Sequence, residues 1–523
     1  MKLQDLIAPE KYNLSQEIEK YASNKIALKW LSEAGISKEI TYNELIQKAN
    51  RLANALAKLG LTKGDRILVI VPRLIETYII YLAAMKSGLV VIPASEMLRA
   101  NDIGYRIRHG EAKAVIAYVD FCEEVNNIHG EIVSLQFKIA FGREIAGWLS
   151  MEQLMSGESD LFPTVETNRD DIVLLTYTSG TTGNPKGVVH SHGWAYAHLR
   201  IAAKKWLNIG ENDVVWATAG PGWQKWVWSP FLSVLGSGAT GFIYHGSFQA
   251  HKYMKVLQEY KINVLCCTPT EYRLMAKLND LNEFNLSSLH SAVSAGEALN
   301  CEVIDVFKTM FNIQIRDGYG QTESTLLIGT LKEMNSKPGS MGKPILEEFI
   351  EIINDKGEPV QAGEAGDIAV RKDFPALFKG YYKDPERTAA AFCGDYYLTG
   401  DRAYKDEDNY YWFQGRGDDI IISSGYTIGP FEVEDALMKH QTVKECAVVA
   451  SPHPIRGNIV KAFVVLKEGI RGESKLLKEL QRHVKQLTAP YKYPRVIEFV
   501  KSLPKTDSGK IRRVELRQRE MGF

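Results

Sequence analysis

The stretch LLTYTSGTTGNPKGVVHSH (residues 174–192) sets threonines, serines, glycines and a single lysine between two apolar runs. Glycine lets a backbone approach a ligand closely and point successive N–H groups inward. The hydroxyls add donors, and Lys186 adds a point charge. That inventory suits phosphate oxygens, although a mobile surface loop has a similar composition. The nucleotide loop G-x-x-x-x-G-K-[ST] is absent, because no Gly-Lys pair in the chain is followed by Ser or Thr.

Other polar clusters follow. DGYGQTE (residues 317–323) offers an aromatic ring, hydroxyls and the carboxylate of Glu323. A magnesium ion prefers oxygen ligands and commonly takes one or two carboxylates plus substrate phosphates, so a single acid is enough for such a site. Asp401 in TGD and Arg416 in QGRGDD are a further carboxylate and guanidinium in glycine-containing segments. Lys510 in TDSGKIRR lies on a glycine-containing turn, where a long amine can reach a distant site, with Lys505, Arg512 and Arg513 close by.

Elements must position these groups. TYNELIQKANRLANALAKLGL (residues 41–61) has apolar residues at helical spacing, and DRILVIVP (residues 65–72) is a short apolar run of buried-strand type. The alternation returns in AKAVIAY, DIVLLTYTSG, VVWATAG, INVLCCTP and SAVSAGE, several of which run straight into turns. Alternating β and α with buried strands predicts a doubly wound α/β architecture, with ligands at the carboxyl ends of the strands. After residue 331 the texture changes. EFIEIINDKGEPVQAGEAGDIAVR (residues 348–371) carries the turns of antiparallel strands, and GRGDD (residues 415–419) marks a boundary before a compact α/β module of about a hundred residues.

The chain has 523 residues, enough for two or more domains, with 45% hydrophobic and 24% charged residues and zero net charge. That balance argues against a nucleic-acid or membrane-surface binder. The charge is uneven: residues 420–523 hold 19 Lys and Arg against 11 Asp and Glu, so the C-terminal module suits a polyanionic ligand. Six cysteines, two of them adjacent (Cys266 and Cys267) and four scattered, without a C-x-x-C pair, make neither a disulfide framework nor a structural zinc site, and they fit a reduced cytoplasmic protein. The first twelve residues lack an apolar core of signal-peptide length. The longest apolar region (residues 77–94) is broken by Lys86, Ser87 and Gly88, so it predicts a buried helix, a turn and a buried strand rather than a membrane span.

Five motifs in order, YTSGTTGNPKG, SAGEAL, DGYGQTE, YLTGDRAYKDEDNYYWFQGRGDD and LPKTDSGKIRR, resemble the adenylate-forming superfamily of acyl-CoA synthetases, adenylation domains and firefly luciferase. The medium-chain and branched-chain acyl-CoA synthetase branch matches best, over nearly the whole chain. The resemblance implies a large N-terminal adenylation domain (residues 1–417) of doubly wound sheets with a β-barrel-like subdomain (331–417). A smaller mobile α/β domain (418–523) would swing about a hinge at Asp418. It implies activation of a carboxylic acid by ATP to acyl-AMP, followed by transfer to CoA.

By the same resemblance, Thr178, Ser179, Gly180, Thr181, Thr182, Gly183, Asn184, Pro185 and Lys186 would wrap the β- and γ-phosphates. Gly296 and Glu297 would flank the adenine pocket, and Asp317, Gly318, Tyr319, Gly320 and Gln321 would line it, with Tyr319 on the ring. Thr322 would contact the α-phosphate, Glu323 would ligate Mg²⁺, and Asp401 with Arg416 would hold the ribose. Lys510 would stabilise the carboxylate and α-phosphate during adenylation. Ser424, Gly425, Tyr426, Arg456 and Lys485 match CoA-binding positions.

The aromatic-rich AGPGWQKWVWSPF (residues 219–231) matches the acyl pocket region. By the resemblance, Trp223, Trp226 and Trp228 would close the floor of that pocket, which favours short, medium or branched aliphatic acids over long chains. Helix-like spacing places Lys225 and Trp228 on one face and favours that pair over Trp226. One departure stands out. The branch has Arg in SGYRIG, where this chain reads SGYTIG with Thr427, and threonine cannot supply a charge-assisted fork. Weakened ATP handling, or compensation by another cation, is expected. Three alternatives stay open: a ligase that loads a carrier-protein thiol, a catalytically impaired nucleotide-binding sensor, and an aromatic-acid ligase.

Overall fold

The computed structural model describes residues 2–178, 185–296, 299, 301–423, 426–453, 457–488, 491–506 and 509–521. The side chains of Asp418, Tyr426 and Thr427 lie outside that description. The chain forms two compact units: residues 1–296, 305–334 and 372–390 make the first, and residues 297–304, 335–371 and 391–523 the second.

The first unit is built on two largely parallel sheets. One is seven-stranded, in the order Leu149–Ser150, Phe137–Phe141, Ala114–Tyr118, Arg66–Ile70, Val90–Ala94, Ile172–Thr178, Lys186–Ser191. Its last pair is the antiparallel hairpin that carries the glycine-rich loop, with Thr178 opposite Lys186. The other sheet runs Leu326–Gly329, Ile315–Gly320, Ser291–Ala295, Val264–Cys267, Val214–Ala217, Thr240–His245, Ile26–Ser32, Ser37–Thr41.

Why these segments fold as they do is visible locally. Helix Tyr42–Lys58 starts at a capping box in which Thr41 accepts from the Glu44 amide and the Glu44 side chain reaches back. Helix Ile75–Lys86 is buried all round, with one exposed-side position at Glu76, so it has no polar face to show a helical period. Gly88 (φ +68°) turns the chain into the fully buried strand Val90–Ala94. Such βα units are what the apolar runs and glycine turns of the sequence predict. No helix among the described residues is long and apolar enough to cross a membrane.

The second unit holds an antiparallel half-barrel sheet in which Ile350–Ile353, Ala365–Arg371, Tyr396–Lys405 and Tyr411–Arg416 pair in succession. A further sheet is centred on the long hairpin Val443–His453 and Gly457–Leu466, with Val496–Phe499 added in parallel. Helices Pro430–Met438, Ser474–Leu487 and Arg513–Met521 accompany it. Leu476, Leu480 and Val484, four residues apart, bury one face of Ser474–Leu487. Glu434, buried, is forked by Arg513 at 2.7 and 2.9 Å and accepts from the Val448 amide at 2.8 Å. That fork fastens the last helix to the module.

Candidate active site

In the first unit the polar motifs gather at the foot of the 172–191 hairpin. Lys186 Nζ lies 2.6 Å from Glu323 Oε1, and both meet the Tyr381 hydroxyl, which receives Lys186 at 2.9 Å and donates to Glu323 at 3.0 Å. The ammonium also sits 4.5 Å from the centre of the Tyr381 ring. Glu323 is only 6% exposed, so these partners satisfy its buried oxygen. Tyr381 belongs to residues 378–382, which lie beside the hairpin through backbone bonds of Lys379 to Val189, Val189 to Gly380 and Tyr382 to Gly187. The sequence did not flag Tyr381, because nearly two hundred residues separate it from Lys186.

The segment after Gly320 is gripped from behind by the strand–helix element 186–198. His190 donates from Nε2 to the Thr322 carbonyl, Trp194 Nε1 donates to the Ser324 carbonyl at 2.9 Å, and His198 Nδ1 accepts from the Thr325 hydroxyl at 2.7 Å. His198 Nε2 donates to the Trp228 carbonyl at 3.0 Å. A carbonyl only accepts, so the proton of each imidazole sits on Nε2. Burial, the largest influence, lowers both imidazoles to a pKa of about 4, so they are neutral near pH 7. Gly320 is required where it stands: a Cβ there would lie 2.2 Å from the Thr325 carbonyl oxygen. On strand Ile315–Gly320 the Asp317 carboxylate accepts from the Gly318 amide at 2.9 Å, and its carbonyl accepts from Trp206 Nε1 at 3.1 Å. Tyr319 lies half-buried on strand Ile315–Gly320, and Gly296 (φ +109°) follows strand Ser291–Ala295.

Both stems of the glycine-rich loop are tied to helix Ala100–Gly110. Tyr105 donates to the Pro185 carbonyl at 3.1 Å, and His109 Nδ1 meets the Tyr177 hydroxyl at 2.8 Å. The two helix residues stack, with ring centres 5.3 Å apart. Together with Lys186, Gly187, Tyr382, Asp384 and Arg387 they line a cleft of about 220 Å³. Burial, helped by the charge of Lys383, holds the His109 pKa below its ordinary value.

Of the residues matched to the acyl pocket, Trp223 is half-buried, Lys225 reaches over the Trp206 ring at 5.4 Å, and Trp228 is buried beside Trp194 and His198. Trp226 points elsewhere, into the core against Tyr78, Tyr81 and Phe231. Gln224, which the sequence did not single out, is buried and accepts from the Thr176 hydroxyl.

In the second unit Asp401 and Arg416 face each other across paired strands, Arg416 Nε 3.4 Å from Asp401 Oδ1, and the Asp401 amide donates to Thr399 at 3.2 Å. Lys510 is exposed, one residue past Gly509 (φ +83°), in a turn closed by the Thr506 amide on the Lys510 carbonyl at 2.7 Å. Lys485 lies 3.9 Å over the Tyr493 ring. Asp418 falls within the short turn Gly417–Asp419. Ser179, Gly180, Thr181, Thr182, Gly183, Asn184, Glu297, Ser424, Gly425 and Arg456 lie outside the described residues, and Tyr426 and Thr427 are placed by backbone alone in strand Tyr426–Ile428.

Known proteins resemble this chain in sequence and in fold. The family model for an AMP-binding enzyme matches residues 14–382, and that for the AMP-binding enzyme C-terminal domain matches 432–510. The chain is 60% identical to an uncharacterized acyl–CoA ligase, YtcI, of Bacillus subtilis (strain 168), over 99% of this chain and 98% of that one. It is 40% identical to the mitochondrial acyl-coenzyme A synthetase ACSM3 of Rattus norvegicus, over 94% and 86%. Among solved structures, the anthranilate CoA ligase AuaEII in complex with anthranoyl-AMP superposes with a TM-score of 0.92 at 30% identity, over 100% and 99% of the two chains. A benzoate CoA ligase from Burkholderia xenovorans LB400 gives 0.85 at 30% identity, over 97% and 100%. The chain belongs to the AMP-binding enzyme family, among its acyl-CoA ligases, and is an acid–thiol ligase.

Proposed function

We propose that the chain converts a short- to medium-chain or branched aliphatic carboxylic acid, ATP and CoA into acyl-CoA, AMP and pyrophosphate. In the first step a carboxylate oxygen bonds to the α-phosphorus of ATP, the bond to the β-phosphate oxygen breaks, and pyrophosphate leaves. In the second, the CoA sulfur bonds to the acyl carbon, the thiol proton is lost, and AMP departs. The reacting partners are both anions, so catalysis rests on positioning and on charge stabilisation.

The observation that carries the reading is the Lys186–Glu323–Tyr381 cluster at the joint between the glycine-rich hairpin and the DGYGQTE segment. Lys186 would hold the β- and γ-phosphates, together with the loop that begins at Thr178. Thr322, whose carbonyl accepts from His190, would contact the α-phosphate. Glu323 suits a magnesium ion whose remaining ligands would be phosphate oxygens and water, and such an ion would supply further charge neutralisation there. Asp401 with Arg416 would hold the ribose, Lys510 would serve the first step, and the CoA-matching positions would serve the second. We assign the hinge to Asp418, the division between adenylation and mobile domains to 417/418, and the compartment to the cytoplasm, where six free cysteines suit reducing conditions.

The test is pyrophosphate release from ATP with acids from acetate to octanoate, 2-methylpropanoate, 2-methylbutanoate and benzoate, with and without CoA. Turnover peaking on a branched or C4–C8 acid and completed only with CoA is expected. A peak on benzoate would favour an aromatic-acid ligase, the reading that the anthranilate and benzoate ligases among the structural relatives support. In the same assay Thr427→Arg is expected to lower KM for ATP, and an unchanged KM and rate would remove Thr427 as a handicap.

A further inference from the structure

Buried polar atoms are nearly always hydrogen-bonded, so an exception calls for a ligand or a role. Two exceptions stand four residues apart where the aromatic-rich segment enters the first unit. Gln224 is 4% exposed; its carboxamide oxygen takes the Thr176 hydroxyl, and its Nε2 has no partner among the described residues. Trp228 is 8% exposed, and its Nε1, a donor that cannot accept, is likewise unpartnered. Residues four apart on a helical turn share a face, and here the chain passes from the short helix Gln224–Trp226 into the wider turn Val227–Ser233. Both backbones are fixed: Gly222 (φ +116°) leaves no room for a Cβ against the Ser95 backbone, and the Trp228 carbonyl takes the His198 imidazole.

We propose that Gln224 Nε2 and Trp228 Nε1 form a donor pair for a neutral oxygen, a keto or hydroxyl oxygen, on the acyl chain of the acid. The proposal rests on the reading that this segment lines the acyl pocket of an adenylate-forming ligase. A wholly hydrocarbon chain would leave two buried donors unsatisfied, whereas an oxygen acceptor between them satisfies both. Sites built to hydrogen-bond a substrate group reject the analogue lacking it much more strongly than apolar pockets reject an extra methylene. Gln224 and Trp228 thereby become specificity-determining residues, and the preferred acids are oxygenated members of the short- to medium-chain class.

The test measures binding, so that it does not depend on turnover. Non-hydrolysable acyl-sulfamoyl adenosines carrying hexanoyl and 5-oxohexanoyl groups, and pentanoyl and 4-oxopentanoyl groups, are titrated calorimetrically into the full chain. The wild type should bind an oxo member of at least one pair tenfold or more tighter than its hydrocarbon partner. That ratio should fall to about one in both Gln224→Leu and Trp228→Phe, while the hydrocarbon probes bind at least as well as before. Equal binding of both members of each pair by the wild type would overturn the proposal and assign the two donors to trapped water, with the ligase reading intact. A preference that survives both substitutions would overturn it too. No binding of any probe would overturn the proposal together with the acyl-adenylate reading on which it rests. The wild-type ratio decides the question even where a variant does not fold.

Discussion

Lys186 and Glu323 pair with each other, and the Tyr381 hydroxyl bonds to both. Glu323 is 6% exposed, so these two partners fix where it points. On the proposed reading the ammonium turns to phosphate oxygens during reaction, and Tyr381 remains to hold Glu323 in place. Lys186→Met is therefore expected to lower acid-dependent pyrophosphate release by roughly 100-fold or more, in the range seen when one charge-stabilising donor is removed. Tyr381→Phe, which keeps the ring under the lysine but loses both hydroxyl bonds, should cost about tenfold. Steady-state rates of both variants check this, and values within twofold of wild type would remove the cluster from the reaction. Lys186 and Glu323 were legible in the sequence because each sits in a motif with characteristic neighbours. Tyr381 and Gln224 were not, since their significance lies in what they touch, and neither FKGYYKD nor GWQKW announces a partner.

At the scale of elements, the strand–helix unit 186–198 does the positioning. It carries Lys186 at its start and spends three polar side chains on the 322–325 backbone and hydroxyl. His192, in the same element, is also buried, and its Nδ1 accepts from the Leu14 amide. All three imidazoles are lowered by burial to a pKa of about 4, against about 6.5 when exposed. The unfolded chain therefore binds more protons between pH 6.5 and pH 4, so stability rises with pH through that window and is lost as pH falls. Each such proton contributes a slope of about 1.4 kcal/mol per pH unit. Unfolding midpoints in urea at pH 7, 6 and 5 should fall steeply, and His198→Gln should flatten the slope. A midpoint independent of pH over this range would contradict the neutral, buried assignment. The sequence showed VVHSH as the end of an apolar run, which places the histidines near a core. It could not show that the His190 ring answers the Thr322 carbonyl, or that His192 accepts from the Leu14 amide, each more than a hundred residues away.

For the whole molecule, the doubly wound sheets were legible because buried parallel strands leave short apolar runs that stop at a turn or helix-start residue, as at residues 65–72 and 262–269, each of which ends in proline. The half-barrel was legible from paired turn signals at residues 354–357 and 361–364. Grouping was harder to read. Residues 335–371 and 391–417 pack with the C-terminal residues as one compact unit, and residues 372–390 return to the first unit, an interleaving that no local pattern records. The two units also divide the assigned residues: Lys186, Thr322 and Glu323 belong to one, and Asp401, Arg416 and Lys510 to the other.

On the proposed reading Lys510 acts in adenylation and not in the transfer to CoA, and Lys510→Ala tests this most directly. Pyrophosphate release from ATP and acid is measured beside acyl-CoA formation from supplied acyl-AMP and CoA. The first is predicted to fall at least about 1,000-fold, and the second to stay within about threefold of wild type, because the lysine serves only the charge that develops during adenylation. Equal losses in both steps, or no loss in the first, would contradict the account.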